Sequence, residues 1–457
     1  MRLIWKIVLS VLACLVLVFA GFYVYFFELG GLEKLVNSQI ASLLSDRYNL
    51  DVMIGKITGN LFSGLTLEDV SIFYVDSSRS YLLVDCPSIS TRYALSNLWN
   101  KNYRLEYLYL DSSQITIIRD TVGHWLLPAR EPTTGESNQV SNPQFSVDAL
   151  NLNNVSLTIL DGHDTLALEN IELSLALQGI ENTYAIDVDR LEFTSSDDRF
   201  KLDAAGGKLT YSDSKLLFRD LSLLSGDTRV KLNGHTELGK TPRGQVDFAI
   251  DNINLREVSK FIKPRLKGVI DLNGSLTFEG NRLAGTVDMG GDFMFTSFEN
   301  IFVGFRFADK HLLIDTLYGM VFDGCAIDGT GNIDFSTKPR TYRLKADISN
   351  FNLKSLVKNS YSTNLNGHID LNGESFHKET LMLGINTELF ESVFDEYHFH
   401  EALGDLIITT DSLVFVDSFS IKYYENTFHV AGRINYKEQT DLHITADLAN
   451  LDRYRGK

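Results

Sequence analysis

Residues 230–239 read VKLNGHTELG, and the same local pattern returns as IDGTGNIDFS at 327–336 and FHVAGRINYK at 428–437. With Gly234, Gly331 and Gly432 as markers, the spacings are 331−234 = 97 and 432−331 = 101 residues. A β-like run precedes each marker segment: KLLFRDLSLL (215–224), HLLIDTLYGM (311–320) and SLVFVDSFSI (412–421). An alternating stretch follows each, closing on a D-x-x-N-L-like step: VDFAIDNINL (246–255), LKADISNFNL (344–353) and ITADLANL (444–451). In the first two copies DLNG comes next, at Asp271–Gly274 and Asp370–Gly373, with 373−274 = 99. A sheet-forming unit repeated at this period predicts an array that grows by stacking, not a closed globule. The third copy stops at Lys457, where its predecessors begin a short helix, so a longer parent protein is expected.

Working outward, period two dominates. Val155, Leu157 and Ile159 alternate with Ser156 and Thr158, and Ile171, Leu173, Leu175 and Leu177 alternate with Glu172, Ser174, Ala176 and Gln178. Val246, Phe248 and Ile250 alternate with Asp247 and Ala249; Ile369 and Leu371 alternate with Asp370 and Asn372. Such strands present one wet face and one apolar face. The apolar face needs a cover, and the helical patterns LREVSKFI (Leu255, Val258, Phe261) and LKSLVK (Leu353, Leu356, Val357) are too short to roof it. Two solutions remain: a sandwich of two sheets, or a long sheet folded lengthwise into a trough whose lining stays open to acyl chains. Periodicity does not separate them. These twelve apolar residues are the candidate lining.

Composition removes several function classes. The chain has 457 residues and a net charge of −17, from 59 acidic and 42 basic residues, with no extended basic cluster, so nucleic acid is not an expected partner. Its three cysteines, Cys14, Cys86 and Cys325, lack metal-ligand or C-x-x-C spacing, and no disulfide is expected. Thirty-three glycines against seven prolines suit many tight turns.

Ile7–Phe27 carries no charge and lies between Arg2 and Lys6 on one side and Glu28 on the other. As a helix its 21 residues reach about 31 Å, the thickness of a bilayer's hydrocarbon core. Ile7, Leu12, Leu17, Phe22 and Phe27 mark this anchor, and the basic N-terminal side predicts a cytoplasmic N-terminus with the remainder across the membrane. The apolar run continues past Val18-Phe19-Ala20, which favours an uncleaved anchor. Leu32, Leu35, Val36, Ile40, Leu43 and Leu44 then form one stripe of an amphipathic helix, read as a cap on the first open edge of the sheet. The expected organisation is thus an anchor over 1–29, an amphipathic helix over 30–48, a β unit over 49–127, a Pro-rich loop or hinge over 128–144, and β-groove repeats over 145–457.

Catalytic patterns are missing: no G-x-S-x-G elbow, no H-E-x-x-H and no P-loop. The protein is expected to be no enzyme and to need no cofactor. His398 and His400 share one strand face in EYHFHEAL with Glu396 nearby; a solvated strand face is the simpler reading than a metal site. Asp161-Gly162-His163-Asp164 and the other Asp-Gly and Asn-Gly pairs read as hairpin turns.

One stretch carries a resemblance. Asn49–Pro128 contains a G-x-x-x-G-N-L-x-S-G-L-x-L-x-D-V block from Gly55 to Val70, an S-x-L-W step at Ser96–Trp99 and an R-D-x-x-G-x-W ending at Arg119–Trp125. These features, with the anchor and amphipathic helix before them, resemble the N-terminal region of the AsmA-like/TamB family. The resemblance implies a periplasmic β-taco tethered in the inner membrane of a two-membrane bacterium, with a hydrophobic groove that carries phospholipids toward the outer membrane. It also implies contact with an Omp85-type outer-membrane barrel through a C-terminal region that would lie beyond Lys457. The rival expectations are a scaffold for outer-membrane protein assembly, working by strand addition, and a structural β array with a sealed core.

Overall fold

The computed structural model describes residues 49–449, apart from 61–63, 76–78, 94–102, 120–125, 127–144, 162–163, 181, 197–199, 261–265, 294–295, 322–323, 353, 355–361, 376–381 and 436–439. The anchor, the amphipathic helix, the Ser96–Trp99 step, Trp125 and the 128–144 loop lie outside the described residues. The protein is mainly β, and the chain divides into two units, Met1–Gly226 and Asp227–Lys457.

In the first unit β1 (Leu50–Asn60), β2 (Gly64–Val75) and β3 (Ser80–Tyr93) form an antiparallel meander. Gly59 (φ +103°) and Gly64 (φ +139°) close its first hairpin, a backbone that side chains rarely adopt. Next, β4 (Tyr103–Asp111) and β5 (Gln114–Arg119) follow one another along β3 and are parted only by Ser112 and Ser113. β6 (Phe145–Asp161) runs parallel to both, from Tyr103↔Phe145 to Arg119↔Asp161. Parallel neighbours need a returning connection of a dozen or more residues, and 144−119 = 25 residues separate these two strands. The proline-rich stretch therefore joins strands of one ladder. β7 (Asp164–Ile180), β8 (Thr183–Ser195), β9 (Lys201–Ser212) and β10 (Lys215–Ser225) complete the unit as successive hairpins.

The second unit is an uninterrupted antiparallel meander. Its first strands are β11 (Thr228–Glu237), β12 (Arg243–Asn254), β13 (Val269–Glu279) and β14 (Arg282–Phe293). They are followed by β15 (Thr296–Ala308), β16 (His311–Val321), β17 (Cys325–Asp334), β18 (Thr341–Phe351) and β19 (Thr363–Glu374). The last are β20 (Met382–Phe394), β21 (Tyr397–Thr409), β22 (Ser412–Tyr423), β23 (Asn426–Asn435) and β24 (Asp441–Asp447). Between β12 and β13 stands one helical turn, α1 (Leu255–Val258), whose first N–H groups are capped by Asn254 accepting from Arg256 N. Asn352 does the same for Lys354 N and also accepts from Thr363 N, at 3.1 and 3.2 Å. The asparagine of the D-x-x-N-L step is thus a cap in both of these copies.

The repeat period has a simple structural value. Gly234 lies on β11, Gly331 on β17 and Gly432 on β23, so one copy of about 100 residues is six strands. The tight hairpins this requires use left-handed turn residues: Asp213–Ser214 (φ +48°, +64°) and Asp309–Lys310 (φ +50°, +66°) have the two positive φ values that match strand twist.

Among the described residues, nine inside strands are left-handed without being glycine: Asp69, Asn154, Asn170, Asp220, Asn252, Asn300, Asn350, Glu391 and Asp417. Eight are Asp or Asn, the types that tolerate this backbone. Seven of them, all but Glu391 and Asp417, stretch the step between apolar positions on their strands from two residues to three, as in Leu152-Asn153-Asn154-Val155, so the apolar side stays on one face while the ladder kinks. Register shifts accompany several of them, at Arg219/Ser222, Ile250/Ile253 and Ile348/Phe351. Neighbouring side chains hold the kinks: Asn154 N donates to Glu172 Oε1 (3.2 Å), Asn252 N to Asp271 Oδ1 (2.7 Å) and Asn350 N to Asn366 Oδ1 (2.8 Å).

The small cores sit along these kinks. In the first unit Ile54, Ile57, Val70 and Cys86 pack together; in the second, Cys325, Ile348, Leu389, Phe399, Ala402 and Phe419 do. Cys86 and Cys325 are free thiols, both buried. Ser113 Oγ donates to Cys86 Sγ at 2.7 Å, and burial raises the pKa of the Cys325 thiol.

Candidate functional site: the apolar face

Directly paired residues of a ladder project from the same face, so the registers decide which side chains meet. Across the second unit one row includes all three repeat markers. Gly234 pairs with Val246, then come Leu276, Gly285, Phe305 and Ile314. From Gly331 the row continues through Leu344, Leu371, Ile385, Leu406 and Phe415 to Gly432 and Leu442. It crosses all fourteen strands of the unit without one polar side chain. Thirteen steps of about 4.8 Å make it roughly 62 Å long, about twice a bilayer's hydrocarbon core.

Every one of the fourteen positions is partly exposed; none is buried and none is open to bulk water like the polar side. The core of a sealed sandwich would bury the middle of such a row. Partial cover along the whole length describes an apolar surface shielded by its own neighbours and still reachable. The facing polar positions, such as Asp247, Asp271, Asn273 and Arg343, are exposed.

The first unit has its own row: Ile57, Leu67, Ile89 and Leu110 lead to Leu152, Leu173, Leu191, Ala205 and Leu223, over nine strands. Ile57 and Ala205 are buried and the other seven partly exposed.

All twelve apolar residues singled out from the alternation fall on these faces. Leu173, Leu175 and Leu177 pair with Leu152, Leu150 and Val147, while Leu157 and Ile159 pair with Leu168 and Leu166. Val246, Phe248 and Ile250 pair with Leu276, Gly274 and Leu272, and Ile369 and Leu371 with Ala346 and Leu344. Val155 and Ile171 pair with each other but are buried, at 0% and 7% exposure, against the kinks at Asn154 and Asn170; they hold the sheet together and do not line an open surface. The other ten are partly exposed. Alternation alone missed the kinks, although an apolar step of three with Asn or Asp inside it was the visible signal.

The DLNG glycines behave differently from the markers. Gly274 and Gly373 lie six strands apart but on different rows, since the row through Gly274 meets β19 at Ile369. What they share is an aromatic ring from the preceding strand, Phe248 over Gly274 and Tyr342 over Gly373. A ring lying across a glycine covers backbone that has no side chain of its own.

The opposite face carries ion pairs. Arg104 Nη2 meets Asp148 Oδ2 at 2.6 Å, Lys208 Nζ meets Asp187 Oδ2 at 2.9 Å, Arg306 Nε meets Asp315 Oδ2 at 2.8 Å, and Arg343 joins Asp370. Hydrogen bonds from Arg306, Arg343 and Lys201 hold the carboxyls of Asp315, Asp370 and Asp203 below the usual carboxylate range; Arg190 does so for Glu192. A carboxyl with a lower pKa in the folded state than in the unfolded chain stabilises the fold above the unfolded value, about 4, and that contribution is lost as pH falls through the folded value. Thermal melts followed by circular dichroism should therefore give a Tm that changes little between pH 6 and 8 and drops below about pH 4. A Tm that rises on acidification would contradict these pairs.

Fold and face together define a class: a repeat-built, mainly β protein whose units each carry an apolar side and a salt-bridged side. No protein-family model, curated protein or solved structure matches the chain. Among the described residues no helix is long and apolar enough to cross a membrane; the segment read as an anchor is not among them.

Proposed function

We propose that this protein is a non-catalytic carrier whose apolar face shelters phospholipid acyl chains, anchored by residues 7–27 in an inner membrane and reaching toward the outer one. The observation that carries the reading is the fourteen-strand apolar row, half-covered at every position. Shielding hydrocarbon there gains about 0.8 kcal/mol per methylene removed from water. The gain is nearly the same at each strand, because the row repeats Leu, Ile, Val, Phe and Gly with no polar stop. A chain that is bound strongly overall but evenly along its path is free to slide. The polar face, with several of its charges tied into pairs, stays in water.

Lipid extraction and native mass spectrometry test this on residues 30–457 purified without detergent. Phospholipid at about one or more molecules per protein is the expected result. Protein that is folded yet free of lipid, and that takes none from vesicles, would point to a structural array.

A further inference from the structure

One of the nine left-handed strand positions breaks the pattern. At Glu391 a long acidic side chain stands where the other eight strands carry Asp or Asn, and a residue of this type in that backbone is strained. Glu391 lies on β20; on the neighbouring β21, His400 stands opposite it and His398 two residues along, opposite Val393. Glu391 Oε1 is 3.0 Å from His400 Nδ1 and Oε2 is 3.4 Å from His398 Nε2. One donor atom from each of the three residues lies within 4.8 Å of the others. The residue completing the histidine pair is thus Glu391 of the neighbouring strand, not Glu396 beside it in sequence. The group projects from the polar side, since Phe399 and Ala402 of the same strand are buried in the core cluster while both imidazoles are well exposed.

We propose that Glu391, His398 and His400 bind a divalent transition metal of the zinc class. Two imidazole nitrogens and a carboxylate oxygen form a donor set that suits Zn²⁺, Cu²⁺ or Ni²⁺ and disfavours Mg²⁺. Donors about 2.1 Å from one ion lie roughly 3.0 to 3.4 Å apart; each imidazole already stands at that distance from one oxygen of the Glu391 carboxylate, and a small side-chain rotation would draw the three donors, now within 4.8 Å of one another, onto one ion. Asparagine in place of Glu391 would suit the kink but would not reach the imidazoles as a carboxylate. The strained glutamate is accounted for by what it reaches. Three protein donors leave coordination positions for water or for a donor from another molecule, away from the apolar face.

The test is calorimetric titration of the metal-stripped, untagged 457-residue chain with Zn²⁺ alone, and with Mg²⁺ as control. The wild type is expected to bind one more equivalent of Zn²⁺ than Glu391→Asn, and Mg²⁺ to give no such heat. Co²⁺ loading should give a d–d absorption band that Glu391→Asn lacks. Glu391→Asn restores the residue type of the sister kinks, so it should fold; should it fail to, His398→Gln/His400→Gln carries the comparison on exposed positions. At least a tenfold loss of Zn²⁺ affinity is expected in either. Equal Zn²⁺ binding by wild type and both variants, or no binding by the wild type, would leave only an ion pair at this place and overturn the proposal.

Discussion

Leu371→Asp is expected to strip bound phospholipid from the protein at least tenfold while leaving a cooperative melt. Leu371 stands in the middle of the fourteen-strand row and is partly exposed. Without lipid, a carboxylate there keeps much of its water, and the folded state should lose no more than about 1–2 kcal/mol. With an acyl chain across it, the same carboxylate must be desolvated without a partner, which costs several kcal/mol. The damage therefore falls on the loaded state. Leu173→Asp tests the equivalent place in the first unit. Val155→Asp is the contrasting variant: its site is 0% exposed, so an unpaired charge should unfold the region whether or not lipid is present. Lipid content measured beside the melting curve separates the outcomes. If Leu371→Asp unfolds the protein as Val155→Asp does, the face is a sealed core and the carrier reading fails.

The second large effect is expected at Gly367, through backbone geometry and not through the lining. Gly367 has φ +147°, and a side-chain carbon added there would stand 2.7 Å from Leu389 Cα and still closer to the carbonyl oxygen of Glu388. The contacts are backbone atoms of the adjoining ladder, so no rotamer relieves them. Gly367 pairs with Ile348 and Leu389, both buried in the second unit's core cluster. Gly367→Val combines left-handed strain with a clash and should destabilise the fold by roughly 3–5 kcal/mol. Urea unfolding measures it. A loss under about 1 kcal/mol would mean that β19 and β20 do not approach as closely as this register requires.

Much of the architecture was legible in the chain because β structure writes its faces into sequence with period two. Leu173, Leu175 and Leu177, or Val246, Phe248 and Ile250, reveal an apolar side without any knowledge of neighbours. Glycines 97 and 101 residues apart reveal a repeat. The kinks were less legible. Asn154, Asn252 and Asn350 look like ordinary polar interruptions until their left-handed backbone is seen to preserve the apolar face across an added residue. The DLNG match was misleading in one respect: identical tetrapeptides occupy different rows, because strand pairing, not sequence identity, sets the alignment. Glu391 was invisible as a partner of His398 and His400, since a contact across two strands leaves no local trace.

By itself, the sequence determined strand type, the sidedness of each strand, the unit of repetition and the absence of any familiar catalytic signature. These follow from local chemistry: alternation, turn residues and composition act within a few positions. Tertiary structure alone decided which residues stand in line. Register is a property of pairs, and a slip of one residue would turn every side chain of a strand to the opposite face. Only the ladder could place Gly234, Gly331 and Gly432 in one row, or bring a strained glutamate against two imidazoles.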